Sequence, residues 1–270
     1  MRNISSYFIV LLLILVLGCS KFRKIEKNPD WRVKYEGAMQ YYAKEDYYKA
    51  SVLFEQILPI VRGLPEGEKV QFYLAYCHYN DKLYLLASER FKTFYETYGR
   101  SAYVEEARYM HAYSLFVASP NSNLDQSSSI EAMSAMQLFL NRYPDSKFRE
   151  QAIESIITMQ EKLEKKGFDN ARQYYKMRRY KSAIVALSNF QKNFPDSKYM
   201  AEAQYLIVLS QYNLAEQSIY SRQEERYKEV IEFYQNMVDD YPDSPLLREA
   251  QKYYTQSLEK LNRFKNNSNL

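Results

Sequence analysis

The chain has 270 residues, including 28 Tyr but only 6 Gly and 8 Pro, and its formal net charge is +4. Few helix breakers and many large amphipathic side chains favour long packed helices, so the composition predicts an all-α protein. Because the charge is nearly balanced, the chain lacks the strongly basic character that nucleic-acid binding requires, and we expect no nucleic-acid partner.

Residues 1–18 have the features of a secretory signal peptide. Arg2 precedes an apolar run over residues 7–17. The run is too short to span a bilayer, which takes about 20 apolar residues, but it fits the core of a signal peptide. The junction Gly18-Cys19 that follows resembles the bacterial lipobox, in which the cysteine is acylated and becomes the first residue of the mature protein.

Acylation of Cys19, with palmitate among the acyl chains, would anchor the protein to a membrane. Several acyl chains on one cysteine anchor stably, whereas one chain anchors only marginally. Ser20 and Lys21 follow without an aspartate. By resemblance to sorting rules in Gram-negative bacteria, this favours the periplasmic face of the outer membrane. Residues 19–30 are then expected to form a tether, and the alternative is an uncleaved signal anchor with an incidental cysteine.

Small residues recur along the rest of the chain at a fixed distance before a turn. In four repeats of this pattern, called frames below, a small residue lies twelve positions before a Gly or Pro, and an alanine lies eight positions after that Gly or Pro. Such regularity is typical of stacked helical hairpins, in which small residues allow two helices to approach closely. A fifth, degenerate copy of the pattern begins at Ala50. The four frames are Ala87-Gly99-Ala107, Ala132-Pro144-Ala152, Ala183-Pro195-Ala203 and Val230-Pro242-Ala250.

The turns of these frames share an aromatic residue before the Gly or Pro and a serine two positions after it. Proline disfavours helix at the residue before it, and Asp or Ser caps the next helix, with Pro245 placed in the first turn of the last one. These signals predict helices over residues 31–45, 48–61, 67–80, 83–97, 102–117, 128–142, 147–177, 180–193, 198–218, 223–240 and 245–263.

The stretch 147–177 contains no proline, and we predict one long helix whose weak point is Gly167. This helix would join an N-terminal group of three repeats, residues 31–146, to two C-terminal repeats. The helix and the two C-terminal repeats together make the second group, residues 147–263. Residues 264–270 are expected to be a disordered tail.

The repeat spacing resembles the tetratricopeptide repeat, which implies a right-handed superhelix of about five helical-hairpin units. A lipobox followed by five long units, Tyr-Pro-Asp-Ser turns and an insertion at residues 119–126 resembles the BamD family (YfiO/ComL) of outer-membrane assembly lipoproteins. Within it the chain is most similar to tyrosine-rich and lysine-rich members from the Bacteroidota. The resemblance implies a scaffold without cofactor, metal or reaction in the machinery that inserts β-barrel proteins into the outer membrane.

In that family the N-terminal repeats receive unfolded barrel precursors, and the C-terminal repeats hold the POTRA region of the barrel subunit BamA. A precursor's end is an extended, aromatic-rich peptide, which tyrosines on a helical groove could pack against and hydrogen-bond. The alternative for each tyrosine is packing between helices. Candidate groove residues are Tyr41, Tyr42, Tyr76, Tyr79, Tyr109 and Tyr113, and candidate BamA contacts are Arg226, Tyr227, Arg248 and Tyr254.

Other classes of protein have less support. His78 and His111 are the only histidines and are not spaced as metal ligands, and no Gly-rich phosphate loop is present, although a glycan hydrolase with paired carboxylates stays open. Cys77 is expected to be a buried small hydrophobe. Two binding alternatives are a CpoB-like envelope scaffold, which usually begins with a coiled coil, and a SusD-like glycan-binding lipoprotein, which is usually far longer.

Overall fold

The computed structural model describes residues 21–267, so the predicted signal peptide and the predicted lipidation site Cys19 lie outside it. Within the described residues, eleven long helices follow one another without a strand, which confirms the all-α class. Each helix packs on the next along most of the chain, and the short connections make neighbours antiparallel. The helices are α1 (Trp31–Ala43), α2 (Tyr47–Val61), α3 (Pro65–Asn80), α4 (Tyr84–Thr97), α5 (Val104–Ala118), α6 (Ser127–Arg142), α7 (Arg149–Lys176), α8 (Tyr180–Asn193), α9 (Met200–Glu216), α10 (Tyr220–Asp240) and α11 (Leu247–Asn267).

The small residues of the repeat frames lie where the helices meet. Ala50, Ala87, Ala132 and Ala183 have no exposed surface, and neither does Val230. The large residue one turn after the alanine is also completely buried at Phe54, Phe91 and Leu187. The predicted packing role of the repeat pattern is therefore confirmed: the small side chain allows close approach, and the large one fills the adjacent groove.

The aromatic residue before each Gly or Pro turn ends a helix, as predicted. Helices α4, α6, α8 and α10 stop at the residue before it, and its backbone N–H still donates to the carbonyl four residues earlier. The aromatic residues are Tyr98, Tyr143, Phe194 and Tyr241.

The helix that follows each of these turns begins two residues later than predicted. In every turn the serine N–H donates to the aromatic carbonyl, and the serine Oγ accepts from the backbone N–H two residues ahead, as between Ser101 and Tyr103 at 2.9 Å. These bonds hold two further residues in a turn before the helix starts. Pro245 therefore lies in the turn before α11, and its predicted place in the first turn of that helix was wrong.

The long helix α7 is continuous over 28 residues and includes Gly167 without interruption. A Cβ at Gly167 would lie 3.0 Å from the ring of Phe194, so glycine serves close packing here. The chain divides into two compact units between Met159 and Gln160, within α7. The sequence assigned all of this helix to the C-terminal group, but its first half, including Ala152, packs in the core of the first unit.

Two predicted flexible segments are partly folded. Residues 21–26 of the expected tether form a short helix, in which Phe22 is only 8% exposed and packs edge-to-face on Tyr41. Ile25 belongs to the same core. At the other end, α11 continues to Asn267, which is four residues beyond its predicted end, and residues 268–270 lie outside the description.

Candidate functional site

The two histidines and Cys77 lie in the first unit, where Cys77 and His78 are buried and His111 is half-buried. Burial lowers the pKa of both His78 and His111, and it raises the pKa of the Cys77 thiol to about 12. Cys77 has no exposed surface, which confirms its predicted role as a buried hydrophobe. Among residues 21–267 no three His, Cys, Asp or Glu side chains are grouped to hold a metal ion.

The six tyrosines predicted to form a groove lie on α1, α3 and α5, the first helices of the three N-terminal hairpins. Aromatic contacts link successive first helices at two places. Tyr42 on α1 packs edge-to-face on Tyr73 of α3, with ring centroids 4.9 Å apart. Tyr79 on α3 contacts Tyr113 of α5 at 6.2 Å. The first helices of the three hairpins thus carry an aromatic row that is linked between α1 and α3 and again between α3 and α5, whereas the ring of Tyr41 packs on Phe22.

Two members of the row are chiefly structural. Tyr109 is 5% exposed and stacks on Phe148 with centroids 4.3 Å apart, so it belongs to the core. Tyr76 packs on Phe91, and its hydroxyl donates to Glu106 Oε1 across the gap to α5 at 2.5 Å. Five candidates, Tyr41, Tyr42, Tyr76, Tyr79 and Tyr113, keep partial exposure.

Four of the six candidate tyrosines have partly desolvated hydroxyls. Burial raises the pKa of Tyr42, Tyr76, Tyr79 and Tyr109, and for Tyr76 the bond to Glu106 raises it further. A raised phenol pKa means that the neutral hydroxyl, a hydrogen-bond donor, is present at every physiological pH. The exposed parts of the half-buried rings are what this row can offer to a ligand.

A second row of apolar side chains on the first unit was missed by the sequence reasoning. Tyr48, Leu85 and Ile130 are 69%, 62% and 58% exposed, and each lies two positions before the repeat alanine of a second helix, α2, α4 or α6. The second unit has Lys181 and Lys228 at this position. The repeat frame was the signal that could have found this row, because it aligns the three residues directly.

The four candidate contacts in the second unit do not form one patch. Tyr227 is 1% exposed, and its hydroxyl donates to Glu216, which also pairs with Lys260 at 2.8 Å. Burial, followed by the bond to Glu216, raises the pKa of Tyr227. Tyr254 is half-buried and stacks on Tyr234, with centroids 4.6 Å apart. Tyr227 therefore holds helices together and offers almost no surface to a partner.

The two arginines of this set line different depressions. Arg226 donates to the backbone carbonyl of Leu214 and to Ser218, and it borders a cleft of about 310 Å³ among α8, α9 and α10. The wall of this cleft is apolar at Ile184, Val185, Leu214 and Phe233. Arg248 is exposed on α11, where it lines a shallow groove with Gln251, Lys252, Thr255 and Gln256.

The described architecture, antiparallel helical hairpins with exposed aromatic, apolar and charged rows, defines a repeat scaffold of the kind that binds other proteins through its surface. None of the helices among the described residues is long and apolar enough to cross a bilayer.

The family model of the YfiO outer membrane lipoproteins matches residues 29–180 and 164–265, and the chain belongs to this family. A search of curated proteins finds no match. Among solved structures, the chain is similar to the TPR domain of P58(IPK), with 15% identity and a TM-score of 0.41, over 85% of this chain and 66% of that one. It is also similar to the apo form of RapI, with 15% identity and a TM-score of 0.39, over 93% of both chains.

Proposed function

We propose that this protein is a lipid-anchored periplasmic scaffold, and not an enzyme, of the machinery that assembles β-barrel proteins in the outer membrane. The observation that carries the proposal is the family match over residues 29–265 in a chain whose Gly18-Cys19 junction resembles a lipobox. The acyl chains on Cys19 hold the protein at the periplasmic face of that membrane. The helical hairpins then supply binding surfaces, and the free energy for assembly comes from folding of the barrel itself.

The first unit binds the unfolded barrel precursor along the aromatic row of α1, α3 and α5. An extended peptide that ends in aromatic side chains can place its rings against the half-exposed faces of Tyr41, Tyr42, Tyr79 and Tyr113. The packing of these rings on neighbouring aromatic side chains holds them in place before the peptide arrives, which reduces the entropy that binding costs. Tyr109 supports the row from within the core and does not touch the peptide.

Photo-crosslinking tests this placement without removing any packed ring. The tyrosine analogue benzoylphenylalanine replaces Tyr79 or Tyr113, and a peptide with the C-terminal strand of a barrel precursor is added. Because benzophenone reacts only with groups in contact, these two positions should crosslink. Tyr48 is the matched control, since it lies on α2 in the second row and is 69% exposed. Crosslinks at Tyr48 alone would move the precursor to the second helices and overturn the proposed row.

The second unit binds the POTRA region of a BamA-like barrel subunit. Arg226 beside its apolar cleft and Arg248 on the exposed groove of α11 are the contacts, together with the half-buried Tyr254. An arginine next to apolar surface is a frequent interface anchor, because its planar charged group binds polar atoms while its stem packs. Tyr227 contributes by fixing α10 against its neighbours.

Affinity purification tests both the partner and the contact. A C-terminally tagged protein is recovered from detergent-solubilised outer membranes, and mass spectrometry identifies what accompanies it. A stoichiometric POTRA-containing barrel protein is the expected result. Arg248→Glu should reduce its recovery by reversing an interface charge, whereas Lys192→Glu makes the same charge change at an exposed position of α8 and should not. Recovery of division proteins or a glycan transporter instead would support the CpoB-like or SusD-like alternative.

A further inference from the structure

The short helix of residues 21–26 is fixed to the first unit by its two apolar side chains. Phe22 packs on Tyr41, and Ile25 lies directly over Gly37, where an added Cβ would come within 2.7 Å of Ile25 Cγ2. Both residues belong to the core of the first hairpin. Their spacing of three residues places them on one face of the helical turn, and the basic side chains of the segment are exposed, whereas the Glu26 side chain is only 18% exposed.

The outward side of this segment is strongly basic. Lys21, Arg23, Lys24 and Lys27 are all exposed, and Glu26 is the one acidic residue among residues 21–27. Glu26 pairs with Arg23 at 2.7 Å. In the described part of the chain, none of the three lysines forms an ion pair with a carboxylate. The segment therefore presents a net excess of three cations on a fixed surface.

This basic face begins two residues after Cys19. Two residues of fully extended chain span at most about 7 Å, whatever their conformation. That reach is within the distance over which charges interact at physiological ionic strength, about 8 Å. If Cys19 carries acyl chains, Lys21 lies within this distance of the lipid headgroups, and Lys24 and Lys27 follow three and six residues further along the chain. No long tether separates the lipid from the folded unit.

We propose that Lys21, Arg23, Lys24 and Lys27 form a docking surface for the anionic phosphates of the membrane that the acyl chains enter. The proposal rests on the acylation of Cys19 in the proposed function. Acyl chains and a basic patch together make a two-signal attachment. Because Phe22 and Ile25 fix the patch to the first hairpin, this attachment also sets which side of the first unit faces the membrane.

Vesicle binding tests the basic patch separately from the acyl chains. The mature chain, residues 19–270, carries Cys19→Ser, so that only the protein surface contributes. Each cation near an anionic surface tightens binding roughly fivefold, so a net excess of three should give a roughly 100-fold preference for anionic vesicles. Equimolar phosphatidylglycerol and phosphatidylcholine is compared with pure phosphatidylcholine in a sedimentation assay, and raising the salt concentration should abolish the preference.

A triple substitution locates the effect. Lys21→Gln with Lys24→Gln and Lys27→Gln should remove the preference for anionic vesicles and leave the thermal unfolding curve unchanged, because all three side chains are exposed. The control triple removes the same charge from exposed lysines elsewhere on the first unit. Equal losses in both triples would show an effect of net charge and overturn the docking surface, as would a parent protein without any preference. The control substitutions are Lys44→Gln, Lys69→Gln and Lys92→Gln.

A separate measurement keeps this inference distinct from the function on which it rests. Mass spectrometry of the wild-type protein, released from membranes by detergent, shows whether Cys19 is acylated. Acylation together with vesicle binding that ignores phosphatidylglycerol would leave the lipoprotein assignment standing and refute the basic patch. An unmodified Cys19 would refute the two-signal attachment even if the patch binds anionic vesicles.

Discussion

Replacing Tyr76 by phenylalanine should destabilise the first unit through the loss of one hydrogen bond. The hydroxyl of Tyr76 on α3 donates to Glu106 on α5, and Glu106 also pairs with Lys147 at 3.6 Å. The ring remains, so the contacts with Phe72 and Phe91 are preserved. A hydrogen bond to a charged group contributes about 1.5–3 kcal/mol. Because Glu106 is 32% exposed and keeps its lysine, we expect the lower end, about 1.5 kcal/mol.

Urea and thermal unfolding of residues 19–270, followed by circular dichroism, measure this change. For a unit of this size, about 1.5 kcal/mol corresponds to a fall in Tm of roughly 4–6 °C. Tyr79→Phe is the matched control, because Tyr79 lies one turn further along α3 with similar exposure. Its ring contacts Tyr84 and Tyr113, and its hydroxyl has no hydrogen-bond partner among residues 21–267. That substitution should change the free energy of unfolding by less than about 0.5 kcal/mol.

A double-mutant cycle separates the hydrogen bond from other effects of the substitution. Glu106→Gln combined with Tyr76→Phe should cost less than the sum of the two single changes, because each removes the same charge-assisted bond. The reasoning is refuted if Tyr76→Phe is as mild as Tyr79→Phe. It is also refuted if the two single changes at Tyr76 and Glu106 are simply additive.

Three further predictions concern stability and reactivity of the first unit. Gly67→Ala should destabilise by about 1–3 kcal/mol in urea unfolding, because its Cβ would lie 2.3 Å from a backbone carbonyl oxygen, whereas Gly63→Ala meets nothing within 4 Å and should be neutral or slightly stabilising. Burial lowers the folded-state pKa of His78 and His111 below the ordinary value of 6.5. Between the folded and unfolded pKa values of each histidine, the unfolded state therefore binds more protons. The stabilisation is therefore fully present above pH 6.5, and the free energy of unfolding should fall as the pH drops below that value. A free energy of unfolding that stays constant through this range, in a pH series of urea unfolding, would contradict the lowered pKa of the two histidines. Cys77, whose buried thiol has a pKa of about 12, should resist iodoacetamide in the native state and react in urea, and rapid native alkylation would show that the site opens.

The helix boundaries show how far local sequence signals reach. The ends of α4, α6, α8 and α10 were predicted correctly, because an aromatic residue followed by Gly or Pro stops a helix through local backbone sterics. The starts of the following helices were predicted two residues too early. Serine was treated as a helix cap, but in the structure its hydroxyl closes a preceding turn with the backbone N–H two residues ahead. Both roles use the same residue and the same acceptor.

The exposure of individual tyrosines was much harder to predict. Tyr109 and Tyr227 were selected as surface contacts but are almost completely buried, whereas Tyr48 was overlooked and is largely exposed. Tyrosine suits either environment, because its ring packs in a core and its hydroxyl can reach a partner such as Glu216. The helical period indicates which side of a helix a tyrosine occupies, but not which neighbouring helix covers it.

By itself, the sequence determined the helical class, the number and order of the long helices, and the small residues at which they cross. These features depend on local backbone preferences and on side-chain size at fixed spacing, which a single chain displays directly. Only the tertiary structure decided the contacts between distant residues. Phe22 and Ile25 pack the expected tether into the first hairpin, and the hydroxyl of Tyr76 on α3 reaches Glu106 on α5. Such contacts join residues far apart in the sequence, so they depend on the angles and distances at which helices meet. Which rows stay exposed for a partner follows from those angles and distances.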